Sequence, residues 1–347
     1  MVRRPGRKAP PSPLAQRDGV DAVRVRLPGV QEDGALWETV GAYLEARYGE
    51  AAGRGRVAAM LGEGRFVTLD GPVAADTPYE AGLWVWFHRD PPAERPVPFP
   101  VTVVHRDERV VVADKPHFLA TTPRGSHVAE TALARLRHGL GLPGLSPAHR
   151  LDRLTAGLVL FVVEPRLRGA YQNLFRDRQV RKEYEAVAPH APEVALPRTV
   201  RSRIVKERGR LAAQEVPGPV NATTRVELLE HRDGLGRYRL LPETGRTHQL
   251  RVHMNGLGLP LLNDPVYPGV LPECLAEAEN PGGPAEVPGS QGLHGDATGT
   301  ADREPGVFGA PLQLLARMLE FTDPVTGTPM RFESARSLEA WPATAQG

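Results

Sequence analysis

A chain of 347 residues is long enough for one large domain with a small appended one, and 41% hydrophobic residues is ordinary for a globular protein. No apolar run approaches the roughly 20 residues of a membrane helix. The basic start Met1–Lys8 lacks the apolar segment of a secretory signal. The single cysteine, Cys274, excludes an intramolecular disulfide. We therefore expect a soluble, cytoplasmic protein with no membrane association. The net charge of +2 indicates no class of binding partner until the charges are counted segment by segment.

The first hundred residues predict a tail, a small module and a linker. Residues 1–20 are rich in Pro, Arg and Gly, which is typical of a disordered basic tail. Residues 21–90 predict a small α/β module, with an alternating strand, a helix whose apolar residues recur at helical spacing, and strands joined by short turns. Five prolines make residues 91–100 a semi-rigid linker and the expected domain boundary.

The order of elements in this module, a helix followed by hairpins, resembles the S4-type RNA-binding module. The first hundred residues carry 13 basic and 13 acidic side chains and lack the basic helix of that module. A merely structural cap is therefore the alternative interpretation.

The charge of the chain is concentrated beyond the linker. Residues 101–260 carry 26 Lys and Arg against 16 Asp and Glu, whereas residues 261–347 carry 4 against 12. Since neutralised phosphates supply most of the sequence-independent affinity for nucleic acid, the basic segment is where a polyanion would dock. Its densest run, residues 198–210, predicts either backbone phosphate contacts or a flexible exposed hairpin.

A polar loop followed by an apolar run marks the centre of the basic segment. The run Leu158–Val163 is too short for a lone helix and predicts a strand buried on both faces. Just before it, Asp152 lies between two arginines on a loop attached to that strand, where positioned chemistry is common. Charge pattern alone leaves two interpretations, a surface salt bridge worth little and a carboxylate that does chemistry.

The complete string of this loop carries more information. His-Arg-Leu-Asp-Arg-x-Thr-x-Gly, residues 149–157, closely resembles the catalytic motif of the RluA family of RNA pseudouridine synthases, which implies that Asp152 is the nucleophile. Two later segments, residues 182–186 and 245–253, resemble the second and third motifs of that family in the same order. Asp-Lys-Pro at 114–116 resembles the start of the family's catalytic domain.

The second motif contains Tyr184. On pattern alone it belongs to an alternating strand with one outward tyrosine, whereas the resemblance implies that its ring lies against the target base. A phenol suits that task because its face stacks on an unpaired base while its hydroxyl makes hydrogen bonds.

The third motif contains Arg251. If Thr244 or Thr247 caps a helix, Arg251 points inward on the face that it shares with Thr247, Leu250 and Met254. A buried guanidinium needs an anion, and Asp152 is the obvious candidate. The resemblance implies the same pairing and would make Arg251 the group that holds Asp152 ionised and in place.

The resemblance also implies how RNA is bound. The target uridine must leave its stack, and Arg150 would enter the gap. The remaining expected RNA contacts are His149, Arg153, Lys182 and Arg246. No cofactor is needed for an isomerisation, and the histidines of the motifs are not spaced as metal ligands, so we expect no metal.

These expectations define one hypothesis for the whole chain. The fold would be α+β, a pseudouridine synthase domain over 101–340 with a mixed, largely antiparallel sheet, a central cleft and a disordered insertion at about 270–310. The protein would isomerise a uridine in ribosomal or transfer RNA, as a monomer without an obligate protein partner. Leu154, Ala156 and Leu315 depart from the family pattern and mark a divergent branch. The alternatives are a catalytically idle RNA-binding protein and a metal-dependent hydrolase, which a chelator would inactivate.

Overall fold

The computed structural model describes residues 10–29, 37–53, 55–90, 94–125, 127–271 and 308–341. The chain divides into two compact units, Met1–Pro92 and Ala93–Gly347. Residues 1–9 of the predicted tail and residues 272–307 of the predicted insertion lie outside the described residues. Among the residues described, no helix is long and apolar enough to cross a membrane.

The smaller unit packs two helices on one face of a four-stranded antiparallel sheet. Its elements are β1 (Val23–Arg26), α1 (Val40–Ala52), α2 (Arg56–Gly62), β2 (Val67–Thr68), β3 (Gly71–Pro72) and β4 (Trp84–Phe87), with strand order β1-β4-β2-β3. Helix α1 begins where the Thr39 hydroxyl accepts the Ala42 N–H, which satisfies one of the free donors of the first turn. Apolar side chains of both helices, including Leu44 and Val57, pack on Val85 and Phe87.

The larger unit is built on one sheet of eleven strands. Its elements are β5 (Thr102–Arg106), β6 (Val110–Lys115), α3 (Ala132–Leu140), β7 (Ser146–Pro147), β8 (Ala156–Val162), α4 (Arg168–Arg176), β9 (Arg181–Pro189), β10 (Arg198–Val205), β11 (Gln214–Val216), β12 (Ala222–Arg232), β13 (Leu235–Pro242), α5 (Gln249–Gly256), β14 (Leu314–Thr322) and β15 (Pro329–Glu333). The main path runs β11-β10-β12-β13-β9-β14-β8-β6-β5, with β15 beside β14 and β7 beside β8. Among the strands of the described residues, β8 and β14 are the one pair that runs parallel. The predicted α+β fold with a mixed, largely antiparallel sheet is confirmed.

The predicted buried strand is β8, and all seven of its residues are buried. Its alternate side chains enter two different cores. Val159 and Phe161 pack towards α3, whereas Leu158 and Leu160 pack towards Tyr171 of α4. Because both faces of the strand are covered, the sequence shows a continuous apolar run in place of an alternating pattern.

The second residue of strand β8 is a glycine that no other residue could replace without movement. Gly157 has φ of +111°, and a Cβ built on it would lie 2.3 Å from the carbonyl oxygen of Ala316 on β14. Glycine therefore lets the two parallel strands approach. This contact fixes the point at which the preceding loop, which carries Asp152, leaves the sheet.

Part of the predicted linker is bound to the larger unit. The Glu94 carboxylate accepts the backbone N–H groups of Val128, Ala129 and Glu130. Arg135 of α3 donates to the carbonyl oxygens of residues 97 and 99. Residues 94–100 are thus held by these hydrogen bonds, and residues 91–93 lie outside the described residues.

Candidate active site

The backbone on the amino-terminal side of Asp152 is held by one hydroxyl. Thr121 Oγ1 donates to the Leu151 carbonyl at 2.8 Å and accepts the Leu151 N–H at 3.1 Å. On the other side, the Thr155 N–H donates to the Asp152 carbonyl at 3.1 Å and closes a turn. The main chain of the nucleophile predicted from the sequence is therefore fixed by buried threonines on both sides.

A buried lysine holds the next residue of the loop. Lys115, at the end of β6, donates through Nζ to the carbonyl oxygens of Pro116 at 3.0 Å, Leu119 at 2.7 Å and Arg153 at 3.2 Å. Burial lowers the pKa of Lys115 to about 7, while the negative charge of Asp152 opposes that shift. Three carbonyl acceptors match the three N–H donors of an ammonium group, so this arrangement suits the protonated form of Lys115.

The side chain of Asp152 is half-buried. Within the described part of the chain its carboxylate forms no ion pair within 4.0 Å and no side-chain hydrogen bond. Its charge nevertheless acts on the pKa values of groups from several separate segments, which are Lys115, Tyr184, His248, Arg251 and Tyr267. The carboxylate thus lies among the polar groups of the site and forms no ion pair or side-chain hydrogen bond with any of them.

Tyr184 lies on β9, opposite Leu240 of β13 and Ala316 of β14. It packs against apolar residues on both sides of that strand. Burial raises the pKa of Tyr184, and the charge of Asp152 raises it further. The phenol is neutral at physiological pH and retains its proton for hydrogen bonding.

Arg251 is buried on α5 as the helical pattern predicts, but its direct partner differs from the prediction. Its guanidinium donates to Asp264 from Nε at 2.7 Å and from Nη2 at 2.6 Å, so the predicted direct pair with Asp152 is not formed. Burial acts to lower the pKa of Arg251, but the hydrogen bonds and charge of Asp264 outweigh it and raise that pKa. The chain returns past α5 and places the fully enclosed carboxylate of Asp264 beside the guanidinium.

The same carboxylate organises the segment that follows α5. Asp264 Oδ1 accepts the N–H groups of Val266 at 2.9 Å and Tyr267 at 3.2 Å, besides its bonds to Arg251. The ring of Tyr267 lies 5.2 Å from the guanidinium carbon of Arg251, within cation–π range. Lys115 belongs to a family-like segment of the sequence, but only the fold brings it to the same site as Asp264 and Tyr267.

Comparison with known proteins gives the family of this chain. Residues 109–256 match the family model of RNA pseudouridylate synthase. The dual-specificity RNA pseudouridine synthase RluA of Haemophilus ducreyi is 32% identical over 189 residues, which cover 50% of this chain and 80% of that protein. The chain belongs to the RluA family of RNA pseudouridine synthases.

Other relatives match over a smaller share of their own length. The mitochondrial tRNA pseudouridine(32) synthase of Saccharomyces cerevisiae is 31% identical over 184 residues, 52% of this chain and 39% of that protein. Ribosomal large subunit pseudouridine synthase D of Escherichia coli O6:H1 is 34% identical over 179 residues, 50% of this chain and 54% of that protein. This RluA-family chain thus matches about two fifths of the yeast relative and about half of the E. coli one.

The RNA contacts predicted for this RluA-family chain fall into two groups. Arg150 is exposed on the Asp152 loop, and Arg153 is half-buried. His149 turns inward, where its ring stacks on Phe175 at 4.2 Å and Nε2 accepts the Leu160 N–H at 3.1 Å. Burial lowers the pKa of His149 to about 3. Its Nε2 is occupied within the protein, and the contact of His149 with RNA stays a prediction.

The two other predicted contacts border the third motif. Lys182 donates to the Thr244 carbonyl at 3.1 Å, and burial lowers the pKa of Lys182 to about 8. Arg246 is exposed and donates from Nε to the Asn221 carbonyl at 3.1 Å. Both side chains therefore help to hold the loop before α5, and Arg246 keeps its outer face free for solvent.

The departures of this RluA-family chain from the family pattern are accommodated inside the fold. Leu154 is half-buried among apolar residues, and its carbonyl accepts a hydrogen bond from His117 Nδ1 at 2.7 Å. Ala156 and Leu315 are both buried and occupy paired positions on β8 and β14. They form part of the apolar support of the site and leave Asp152, Tyr184 and Arg251 in place.

The histidines considered as metal ligands are used elsewhere. His253 is buried between Thr224 and Ser202, within 2.9 and 3.1 Å of their hydroxyl oxygens. His149 and His248 contact Leu160 and Tyr267. Across the described ranges, no three His, Cys, Asp or Glu side chains come together as a metal site would require.

Proposed function

We propose that this chain converts a specific uridine of a structured RNA, ribosomal or transfer RNA, into pseudouridine, with Asp152 as the nucleophile. The observation that carries the proposal is the carboxylate of Asp152, which has no ion-pair partner among the described residues and whose backbone is held on both sides. A carboxylate that served only to stabilise the fold would be held by an ion pair or a hydrogen bond. The names of the RluA-family relatives, which specify transfer RNA and the large ribosomal subunit, support the substrate class.

The reaction exchanges one bond to the ribose for another. The bond from uracil N1 to C1′ breaks, a bond from C5 to C1′ forms, and the proton of C5 is replaced by one on N1. No atom or electron is gained or lost overall, so the reaction needs no oxidant or hydrolytic water. Asp152 attacks C1′ or C6, or takes a ribose proton to give a glycal, and Tyr184 packs on the uracil.

Fixed charges around Asp152 support this chemistry. Lys115 is held by three carbonyl oxygens and Arg251 by Asp264, so neither cation neutralises Asp152 by direct contact. Positive charges that are already in place stabilise a carboxylate, or a negative charge developing on the base, without reorganisation. We propose that Arg251 acts on Asp152 at longer range, through a guanidinium that Asp264 holds in place.

RNA must be opened to reach this site. Extrusion of the target nucleotide costs a few kcal/mol and is least costly in a loop. Arg150 is exposed two positions before Asp152 and is long and planar enough to occupy the vacated stack. We further propose that the protein works in the cytoplasm as a monomer, with RNA as its only obligate partner.

Pseudouridine mapping tests the proposed function. Total RNA from cells with and without the gene is treated with carbodiimide, and reverse-transcription stops are compared. We expect one stop to disappear without the gene, to return with the wild-type gene, and not to return with Asp152→Asn. If all stops persist and the purified protein binds RNA without forming pseudouridine, the protein is a catalytically idle RNA-binding protein.

A further inference from the structure

His248 lies close enough to Asp152 for that carboxylate to act on its pKa, and it has an unusual backbone conformation. It precedes the first residue of α5 with φ of +57°, in the left-handed region that non-glycine residues seldom adopt. Its ring meets that of Tyr267 edge-on, with 5.8 Å between centroids, and Nδ1 lies 3.1 Å from the Tyr267 hydroxyl. Strained residues of this kind collect at sites where a side chain has to be aimed.

The hydrogen bonds of Tyr267 determine which ring nitrogen of His248 carries the proton. The Tyr267 hydroxyl donates to the Ala213 carbonyl at 3.0 Å and accepts the Ala213 N–H at 2.7 Å. A phenol has a single proton to donate, so its third contact must be a bond that it accepts from Nδ1–H of His248. The imidazole is thereby held in the Nδ1–H tautomer, with a bare lone pair on Nε2.

This lone pair is available to a ligand. Burial lowers the pKa of His248 to about 4, although Asp152 partly opposes the shift, so the ring is neutral at physiological pH. Arg251 lowers that pKa further and Asp264 raises it, which shows that the ring lies within the charge cluster of the site. Among the described residues Nε2 has no hydrogen-bond partner, and it is not enclosed.

We infer that His248 is a further substrate-binding residue, whose Nε2 accepts a hydrogen bond from an N–H or O–H donor of the target nucleotide. The inference rests on the proposed function and adds to it. A uridine offers two such donors near the reacting centre, N3–H of the base and the ribose 2′-hydroxyl. The first would distinguish uracil from cytosine, which lacks a proton on N3, and the second would distinguish RNA from DNA.

Two substitutions of His248 distinguish the role of Nδ1 from the role of Nε2. His248→Asn keeps an amide N–H for Tyr267 and suits a left-handed backbone, but places no acceptor where Nε2 stood. His248→Gln places an amide oxygen near that point. We expect His248→Asn to lower kcat/KM by about 10- to 100-fold, the range for a lost buried hydrogen bond, with unchanged thermal stability. His248→Gln should recover at least part of the activity.

Tyr267→Phe tests the control of the tautomer. It keeps the ring beside Arg251 and removes the hydroxyl, so Nε2 is free to carry the proton and a smaller loss of kcat/KM is expected. Tyr238→Phe is the matched control, because that buried tyrosine donates to the Pro189 carbonyl at 2.8 Å on another part of the sheet. Tyr238→Phe should leave kcat/KM unchanged.

Modified substrates identify the donor. A synthetic RNA hairpin carries the mapped uridine, 3-methyluridine or 2′-deoxyuridine at the target position, and product formation is followed in a single turnover. The modification that removes the partner of His248 should slow the wild-type protein and add nothing to the defect of His248→Asn. The other modification should slow both proteins by the same factor.

The outcomes separate this inference from the proposed function. If His248→Asn matches the active wild-type protein, or if both modifications slow both proteins equally, His248 does not contact the substrate and the proposed function stands. If the wild-type protein forms no pseudouridine in any RNA, the proposed function itself fails. Equal effects of Tyr267→Phe and Tyr238→Phe on kcat/KM would exclude control of the tautomer.

Discussion

The buried pair of Arg251 and Asp264 is a quantitative test of the site. Only 3% of the Arg251 side chain and none of the Asp264 side chain is exposed, and two hydrogen bonds join them. In Asp264→Ala the guanidinium stays buried without its anion, and two backbone N–H groups lose their acceptor. Removal of one partner from a buried pair costs about 3–5 kcal/mol of unfolding free energy, and the lost backbone bonds place the expected cost in the upper half of that range.

Urea unfolding followed by circular dichroism measures this cost. A double variant, Arg251→Met with Asp264→Ala, should recover more than half of the loss, because no unpaired charge remains buried. Glu333→Ala is the control, since its ion pair with Arg331 is exposed on β15 and should contribute less than about 1 kcal/mol. A loss below about 1 kcal/mol for Asp264→Ala, or a double variant as unstable as the sum of its parts, would refute the reasoning.

Two further variants test the support of the Asp152 loop. Gly157→Ala should lower the free energy of unfolding in urea by about 3 kcal/mol or more, because its Cβ would lie 2.3 Å from the Ala316 carbonyl oxygen at a φ of +111°. The control is Gly169→Ala on α4, where nothing lies within 4 Å of the added Cβ, and this variant should be as stable as the wild-type protein or more stable. Burial lowers the pKa of His149 in the folded protein to about 3, below its ordinary value of 6.5. The buried neutral imidazole therefore contributes its full stability above pH 6.5. As the pH falls from 6.5 towards 3, the free energy of unfolding decreases by about 1.4 kcal/mol per pH unit. His149→Gln should therefore flatten the decline between pH 6.5 and 4.5, and an equal effect of His138→Gln, on an exposed residue, would contradict this assignment.

The sequence predicts those parts of the molecule that depend on local pattern. The apolar run before Val163 predicts β8 because burial on both faces leaves no polar position in the strand. The helical spacing of Leu250, Arg251 and Met254 predicts a buried face of α5, and the structure buries all three. In both cases the pattern within one segment contains the information.

Partners across the fold are not encoded in that way. The anion of Arg251 is Asp264, thirteen residues further on, because the chain doubles back after α5, and no local pattern distinguishes this carboxylate from Asp152. Lys115 looks like the polar end of a strand until the path of the next four residues wraps carbonyl oxygens around it. The left-handed backbone of His248 is not predicted by the helical pattern of the residues that follow it.

The role of Asp152 is tested most directly by an isosteric substitution. Asp152→Asn keeps the shape of the side chain and removes its charge and its nucleophilic oxygen. Single-turnover pseudouridine formation and RNA affinity are measured with the same transcript for both proteins. The account predicts no product with Asp152→Asn and a largely unchanged affinity, since RNA is held mainly by other cations. Product formation by Asp152→Asn at a rate near that of the wild-type protein would contradict the assignment of Asp152 as the nucleophile.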